Sequence, residues 1–123
     1  MISLGENMSK SILVVDDEPE LLSVIVDALR FAGYEVTQAK DGQQAWEILN
    51  NETPSIILSD YMMPRMNGCE LFDLVRGSKE GKNTPFIFMS ATPELIRSSG
   101  KFSVLRKPFQ FDVLMSKLNS LTC

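Results

Sequence analysis

Two short apolar runs, each stopped by acid, constrain this chain more than any other feature. Ser11-Ile12-Leu13-Val14-Val15 runs into Asp16-Asp17-Glu18-Pro19, and Ser55-Ile56-Ile57-Leu58-Ser59 runs into Asp60 and the loop Tyr61-Met62-Met63-Pro64-Arg65-Met66-Asn67-Gly68. Short aliphatic runs bounded by turn formers predict strands buried on both faces, the habit of a parallel sheet with helices above and below. Acids at the same end of two such strands meet in the crevice beyond the carboxyl edge, where open α/β sheets bind ligands. A lone Asp after a strand is ordinarily a turn starter. The second acid-terminated run is what makes Asp60 a candidate site residue.

The intervening segments alternate between helical and strand periodicity. Pro19 suits the first turn of a helix, Leu21, Leu22, Val24, Ile25, Ala28, Leu29 and Ala32 recur at helical spacing, and Gly33 supplies the stop. Tyr34 to Ala39 alternates as a more polar second strand, suited to a sheet edge. Asp41 caps a helix from Gly42 to about Asn50, with Ala45, Ile48 and Leu49 inward and Trp46 alongside. The resulting β-α-β-α-β order implies right-handed crossovers.

Gly68 opens a third helix carrying Leu71, Phe72, Leu74 and Val75, and the polar stretch from Gly77 to Thr84 reads as a surface loop. Pro85 to Met89 forms a fourth strand that delivers Ser90-Ala91-Thr92 to the same edge. Thr92 to Gly100 has room for about two turns of helix. Phe102 to Leu105 is a short fifth strand followed by Arg106-Lys107-Pro108-Phe109, and Phe111, Leu114, Leu118 and Leu121 mark a closing amphipathic helix. Val113 and Met115 widen its apolar stripe, as marginal core or, alternatively, as a docking or homodimer surface.

At 123 residues this is one α/β domain, with 1–9 expected as a flexible leader, Met8 as an alternative start, and 10–123 as the folded unit. A net charge of -4 with both signs interspersed argues against nucleic acid contact. Cys69 and Cys123 form neither a disulfide framework nor a metal-ligand spacing, which predicts a reducing compartment. No apolar stretch nears the roughly 20 residues of a membrane span, and Met1 to Asn7 lacks the form of a signal peptide. The expectation is a cytoplasmic protein without membrane contact.

Four strand ends thus present Asp16-Asp17, Asp60, Ser90 and Lys107. Three carboxylates together raise one another's pKa unless a cation holds them. A hard divalent ion such as Mg²⁺ fits, because it binds through one or two carboxylates plus waters and phosphate oxygens. A carboxylate beside that ion can attack phosphorus and form an aspartyl-phosphate. Phosphoryl transfer asks for position and for charge at three equatorial oxygens, of which Mg²⁺ would take one, Lys107 another, and the Ser90 hydroxyl with nearby backbone N–H groups the third.

Val14-Val15-Asp16-Asp17-Glu18-Pro19, Asp60 to Gly68, Met89-Ser90-Ala91 and Lys107-Pro108-Phe109, in that order, closely resemble the receiver domains of two-component response regulators. The resemblance covers the chain from about Lys10 onward. It implies a flavodoxin-like, doubly wound sheet of strand order 2-1-3-4-5 with helices on both faces. It also implies that Asp60 takes a phosphoryl group from a phosphohistidine on a sensor histidine kinase or phosphotransfer protein. Mg²⁺ would be held by Asp17, Asp60 and the Met62 carbonyl, with Asp16 acting through water, and Ser90 and Lys107 would meet the phosphate.

The same resemblance implies a signalling phosphoacceptor that gains and loses its own phosphate, rather than an enzyme turning over a metabolite. Its output would be a repacked face of fourth helix, fifth strand and last helix, offered to an unnamed downstream target or to a second copy. Two departures bear on that face. Val104 stands where many members carry an aromatic ring that turns inward, and the segment from Ser90 to Lys107 is short, which predicts a truncated fourth helix.

Three rivals share parts of the pattern. A nucleotide or flavin module would carry a Gly-rich loop after the first strand, where this chain has acids. An aspartate-nucleophile phosphatase would need a general acid two residues after Asp60, where Met62 stands, and a cap. A degenerate receiver, docking a partner without phosphorylation, is the alternative within the family.

Overall fold

The computed structural model describes residues 10–122, so the expected leader over 1–9 lies outside the described residues. Five strands, β1 (Ser11–Val15), β2 (Glu35–Ala39), β3 (Ile56–Asp60), β4 (Phe86–Ser90) and β5 (Ser103–Arg106), pair in parallel in the order β2-β1-β3-β4-β5. They alternate with α1 (Pro19–Phe31), α2 (Gly42–Leu49), α3 (Gly68–Gly77) and α4 (Phe111–Thr122). The doubly wound α/β architecture and the strand order are those expected.

Period-two alternation divides the core between the faces of the sheet. Ile12, Val14, Ile56, Leu58, Ile87, Met89 and Leu105 pack under Leu22, Ile25, Val26 and Leu29 of α1 and Leu114 and Leu118 of α4. On the other face, Leu13, Val15, Ile57, Phe86 and Phe88 meet Ala45 of α2 and Leu71, Phe72 and Val75 of α3. Edge-to-face rings thicken this second layer, with Phe72–Phe86 centroids at 5.1 Å and Phe88–Phe102 at 5.1 Å. The buried strand interiors need apolar side chains on both faces, which is why β1, β3 and β4 read as unbroken apolar runs.

Local chemistry sets the helix boundaries. Pro19 is the first residue of α1, and Gly33 follows its end with a φ of 102°, a conformation open to glycine. The Asp41 carboxylate accepts from the Gln44 amide at 2.8 Å and caps α2. Asn67 and Glu70 cap α3 reciprocally, each accepting the other's backbone amide at 2.9 Å. No helix among the described residues is long and apolar enough to cross a membrane.

Some sequence expectations need correction. The two-turn helix over Thr92 to Gly100 is a single 3-10 turn, Pro93–Leu95, followed by chain without regular structure. Ser98, Ser99 and Gly100 are poor helix formers, and the Arg97 amide is spent on the Tyr61 hydroxyl at 3.2 Å. α3 continues through Gly77, one residue into the expected loop. Val24, Phe111 and Leu74, placed on inward faces by spacing, are 64%, 42% and 38% exposed. Met115 packs against the core while Val113 stays exposed.

Candidate functional site

Register brings the candidate residues to one rim. Val15 pairs with Ser59, so Asp16 stands level with Asp60; Asp60 pairs with Met89, which puts Ser90 one step further along. Ser90 pairs with Arg106, so Lys107 lies one step beyond that. The strand order reverses between β1 and β3, and the acids flank that switch point.

Asp16 and Asp60 are buried, Asp17 is exposed, and one carboxylate oxygen from each lies within 4.8 Å of the others. The Lys107 ammonium reaches Asp16 Oδ2 at 3.2 Å, Glu18 Oε1 at 3.3 Å and Asp60 Oδ1 at 3.4 Å. The other oxygen of Asp16 accepts from the Glu18 amide at 2.9 Å, which fixes the first turn out of β1. Ser90 Oγ accepts from the Thr92 amide at 3.0 Å and keeps its own proton free to donate. Met62, two residues past Asp60 on the same rim, turns its side chain to solvent.

Gly68 explains why the loop after β3 comes so close. A Cβ there would sit 2.5 Å from the Asp60 carbonyl oxygen and 3.0 Å from Tyr61 Cα. The Gly68 amide donates to the Tyr61 carbonyl at 2.8 Å, and the Tyr61 amide to the Met89 carbonyl at 3.0 Å. Asp60 is thereby held at the last position of a strand whose exit is fixed from both sides.

The charges strain one another. Burial pushes the Asp60 carboxyl up to about 6, the Asp16 charge adds to the rise, and Lys107 opposes it. Burial likewise raises Asp16, against the Glu18 amide and Lys107. Burial alone would lower Lys107, but the carboxylates of Asp16 and Asp60 outweigh it and hold the ammonium above its ordinary range. Three acids sharing one lysine are under-neutralised, and a divalent cation among their oxygens would relieve the excess. The donor set, all carboxylate oxygen, suits a hard ion.

The structure thus brings Asp16, Asp17, Asp60, Ser90 and Lys107 to one crevice. It adds Glu18, whose only sequence signal is its place beside the acid pair, and Thr92, whose amide occupies Ser90. An apolar hollow of about 280 Å³, lined by Leu21, Ala91, Pro108 and Phe109, opens beside Lys107. A cleft of about 430 Å³ at the amino edge, walled by Trp46, Ile57 and Val75, is remote from these groups and includes none of them.

Comparison with known proteins gives a consistent answer. The family model for the response regulator receiver domain matches residues 12–119. The transcriptional regulatory protein TrcR of Mycobacterium tuberculosis is 32% identical over 115 residues, covering 89% of this chain and 44% of that protein. The chain spans about half the length of the curated regulators it matches. Among solved structures, the chemotaxis response regulator CheY4 of Vibrio cholerae superposes with a TM-score of 0.83 at 27% identity, over 92% of this chain and 98% of that one. The receiver domain of the sensor histidine kinase PA1611 from Pseudomonas aeruginosa PAO1, solved with a magnesium ion coordinated in its active site cleft, gives 0.84 at 28% identity, over 92% and 97%. With the match running from the second residue of β1 through β5 and into α4, the chain belongs to the response regulator receiver domain family.

Proposed function

We propose that Asp60 is a phosphoacceptor, taking a phosphoryl group from a phosphohistidine on a sensor histidine kinase or phosphotransfer protein. The observation that carries this reading is the convergence of side chains from four strand ends, with Lys107 Nζ 3.2 Å from Asp16 and 3.4 Å from Asp60. In the reaction an Asp60 oxygen bonds to phosphorus in line as the phosphorus–nitrogen bond of the donor breaks, and the electron pair returns to the imidazole nitrogen. Lys107 then exchanges its contact with Asp60 for one with a phosphoryl oxygen. Ser90 donates its unused hydroxyl proton to a second oxygen.

Asp17, Asp60 and the Met62 carbonyl would hold Mg²⁺, with Asp16 acting through water. The ion supplies Lewis-acid neutralisation of the charge that builds on the transferring group. The magnesium coordinated in the cleft of the PA1611 receiver domain supports this choice of metal. The apolar hollow beside Lys107 supports approach of a protein donor rather than a free nucleotide.

Phosphorylation adds about 1.5 to 2 negative charges at the rim. Ser90 is drawn toward them, and the segment from Thr92 through β5 to α4 repacks as the face offered to a downstream target or a second copy. The chain is a signalling module, chemically active only on its own phosphate. A set of three carboxylates, a hydroxyl and a lysine is more than a phosphorylation-independent docking module requires.

Intact mass after incubation with phosphoramidate and Mg²⁺ tests the reading. One phosphoryl increment is expected on the wild type, and none with chelator present or in Asp60→Asn. An unmodified wild type, or an adduct that persists in Asp60→Asn, would overturn it.

A further inference from the structure

The segment between Ser90 and Lys107 is tied to the residue that follows Asp60 by a side chain that the site chemistry does not use. Tyr61 follows Asp60 directly, its ring sits edge-on to Phe88 with centroids 5.3 Å apart, and its hydroxyl accepts from the Arg97 amide at 3.2 Å. Arg97 lies 36 residues further along the chain, just past the 3-10 turn. From there hydrogen bonds lead back to the rim: Ile96 amide to Pro93 carbonyl at 3.1 Å, Leu95 amide to Thr92 carbonyl at 2.9 Å, and Thr92 amide to Ser90 Oγ at 3.0 Å. The Tyr61 amide, bonded to the Met89 carbonyl at 3.0 Å, closes the ring. Asp60 and Ser90 are therefore joined twice, once through the sheet and once through Tyr61 and the segment Thr92 to Arg97.

The second route is loosely built. Leu95 is 59% exposed and Ile96 is half-buried against the second core layer; Arg106 on β5 reaches the Ala91 carbonyl at 3.3 Å and Glu94 at 3.1 Å and Arg97 reaches the Glu94 carbonyl at 2.9 Å, all at the surface, and beyond Arg97 the ties are Ser98 Oγ to Cys69 Sγ at 3.0 Å and Arg76 to the Lys101 carbonyl at 2.8 Å. A segment with few buried contacts, held mainly by exposed side-chain bonds that water competes for, opens at low cost, which is the property a switching element needs. Val104 on β5 has no ring with which to report movement of Ser90.

We propose that Tyr61 is a positioning residue that holds residues 92–101 in one conformation, its hydroxyl latching the Arg97 amide in the unphosphorylated form and releasing it when Asp60 is phosphorylated. This rests on the phosphoacceptor reading and adds how the readout leaves the site. When Ser90 turns toward the phosphoryl group, Thr92 moves with it, because its amide is bonded to the same oxygen. The 3-10 turn is pulled from one end while Tyr61 stays fixed by Gly68 and Met89. The Arg97–Tyr61 bond is the tie that yields.

Hydrogen–deuterium exchange of peptides covering 93–102, on the full chain with Mg²⁺ alone and with Mg²⁺ plus beryllofluoride, tests this alongside the phosphoramidate adduct. In the wild type the phosphate mimic should raise exchange in this segment by about threefold or more. Tyr61→Phe keeps the ring but removes the acceptor; its segment should exchange fast without the mimic and change little with it, while the adduct on Asp60 still forms. Arg97→Pro removes the donor instead, together with the guanidinium bonds to the Glu94 and Ile96 carbonyls at 2.9 and 3.2 Å, which Arg97→Ala removes alone as a control; Ile96 already has the extended conformation, φ -69° and ψ 128°, that a following proline favours. Arg97→Pro should exchange at least as fast as Tyr61→Phe and be as insensitive to the mimic, whereas Arg97→Ala should keep the response of the wild type. An adduct with no exchange response in the wild type, or a Tyr61→Phe response equal to the wild type's, overturns the latch and leaves the phosphoacceptor reading standing. Absence of the wild-type adduct overturns the phosphoacceptor reading itself.

Discussion

Two crossovers leave the rim next to each other and are built in opposite ways. The one after β3, residues 61–67, is fixed at both ends and once between: Met63 is buried although Met62, Pro64 and Arg65 are exposed, Asn67 and Glu70 cap α3 reciprocally, and Gly68 lies against the Asp60 carbonyl. A Cβ on Gly42 would meet the Met66 carbonyl at 2.5 Å, so the loop is also pressed onto the start of α2. The one after β4, residues 91–102, has one 3-10 turn and, until Phe102 packs on Phe88, is held mainly by surface hydrogen bonds and the exposed Arg106–Glu94 pair. Holding a nucleophile at fixed geometry needs the first kind of loop, because a small misplacement costs rate. Changing shape in response to charge needs the second, because only a segment of low local stability can be moved by it.

A methyl group placed in each crossover should separate them most strongly. Gly68→Ala drives a Cβ into backbone at 2.5 Å and is expected to cost about 3 kcal/mol or more by urea denaturation. Gly100→Ala meets only the edge of the Phe72 ring at 3.3 Å, so its cost is mainly the strain of a φ of 112°, about 1–2 kcal/mol. Equal losses would mean the two loops are equally constrained.

The rigid loop holds Asp60 in an environment that resists its charge, and this should appear in the pH dependence of the metal-free protein. The folded carboxyl, at about 6 against an ordinary 3.8, binds a proton that the unfolded chain has released. Stability therefore falls as pH rises from about 4 through 6, an effect of about 1–2 kcal/mol. Asp60→Asn should flatten this limb and stabilise the metal-free fold at pH 7.5, as followed by denaturation in chelator. Mg²⁺ should stabilise the wild type progressively as pH rises through 6, since it binds the ionised form. A wild type that gains stability from pH 5 to 7.5 without metal would contradict this picture of the rim.

The smallest contrast lies in the side-chain ties. Asn67→Ala removes an N-cap and should cost about 1 kcal/mol, whereas Ser98→Ala removes a hydroxyl–sulfur contact and should cost under about 0.5 kcal/mol by the same measurement.

Where burial on two faces dictates the residues, the sequence is readable: β1 is the apolar run Ser11 to Val15, and the acids that stop β1 and β3 reach one rim because register is shared along a parallel sheet. Helical spacing near an edge of the buried stripe is less decisive, which is why Val24 and Phe111 face solvent. The segment after Thr92 misleads because Glu94-Leu95-Ile96-Arg97 is locally helix-forming, while a phenol far off in sequence captures the Arg97 amide. Glu18 on Lys107, 89 residues apart, is equally invisible to any local pattern.

Borohydride reduction of the phosphorylated protein, followed by peptide mass spectrometry, tests the central claim most directly, since an acyl phosphate is reduced to the alcohol and leaves homoserine at the modified aspartate. Homoserine at position 60, dependent on Mg²⁺ and absent at 16 and 17, is the predicted result. Homoserine at Asp16 or Asp17, or at no position, would contradict it.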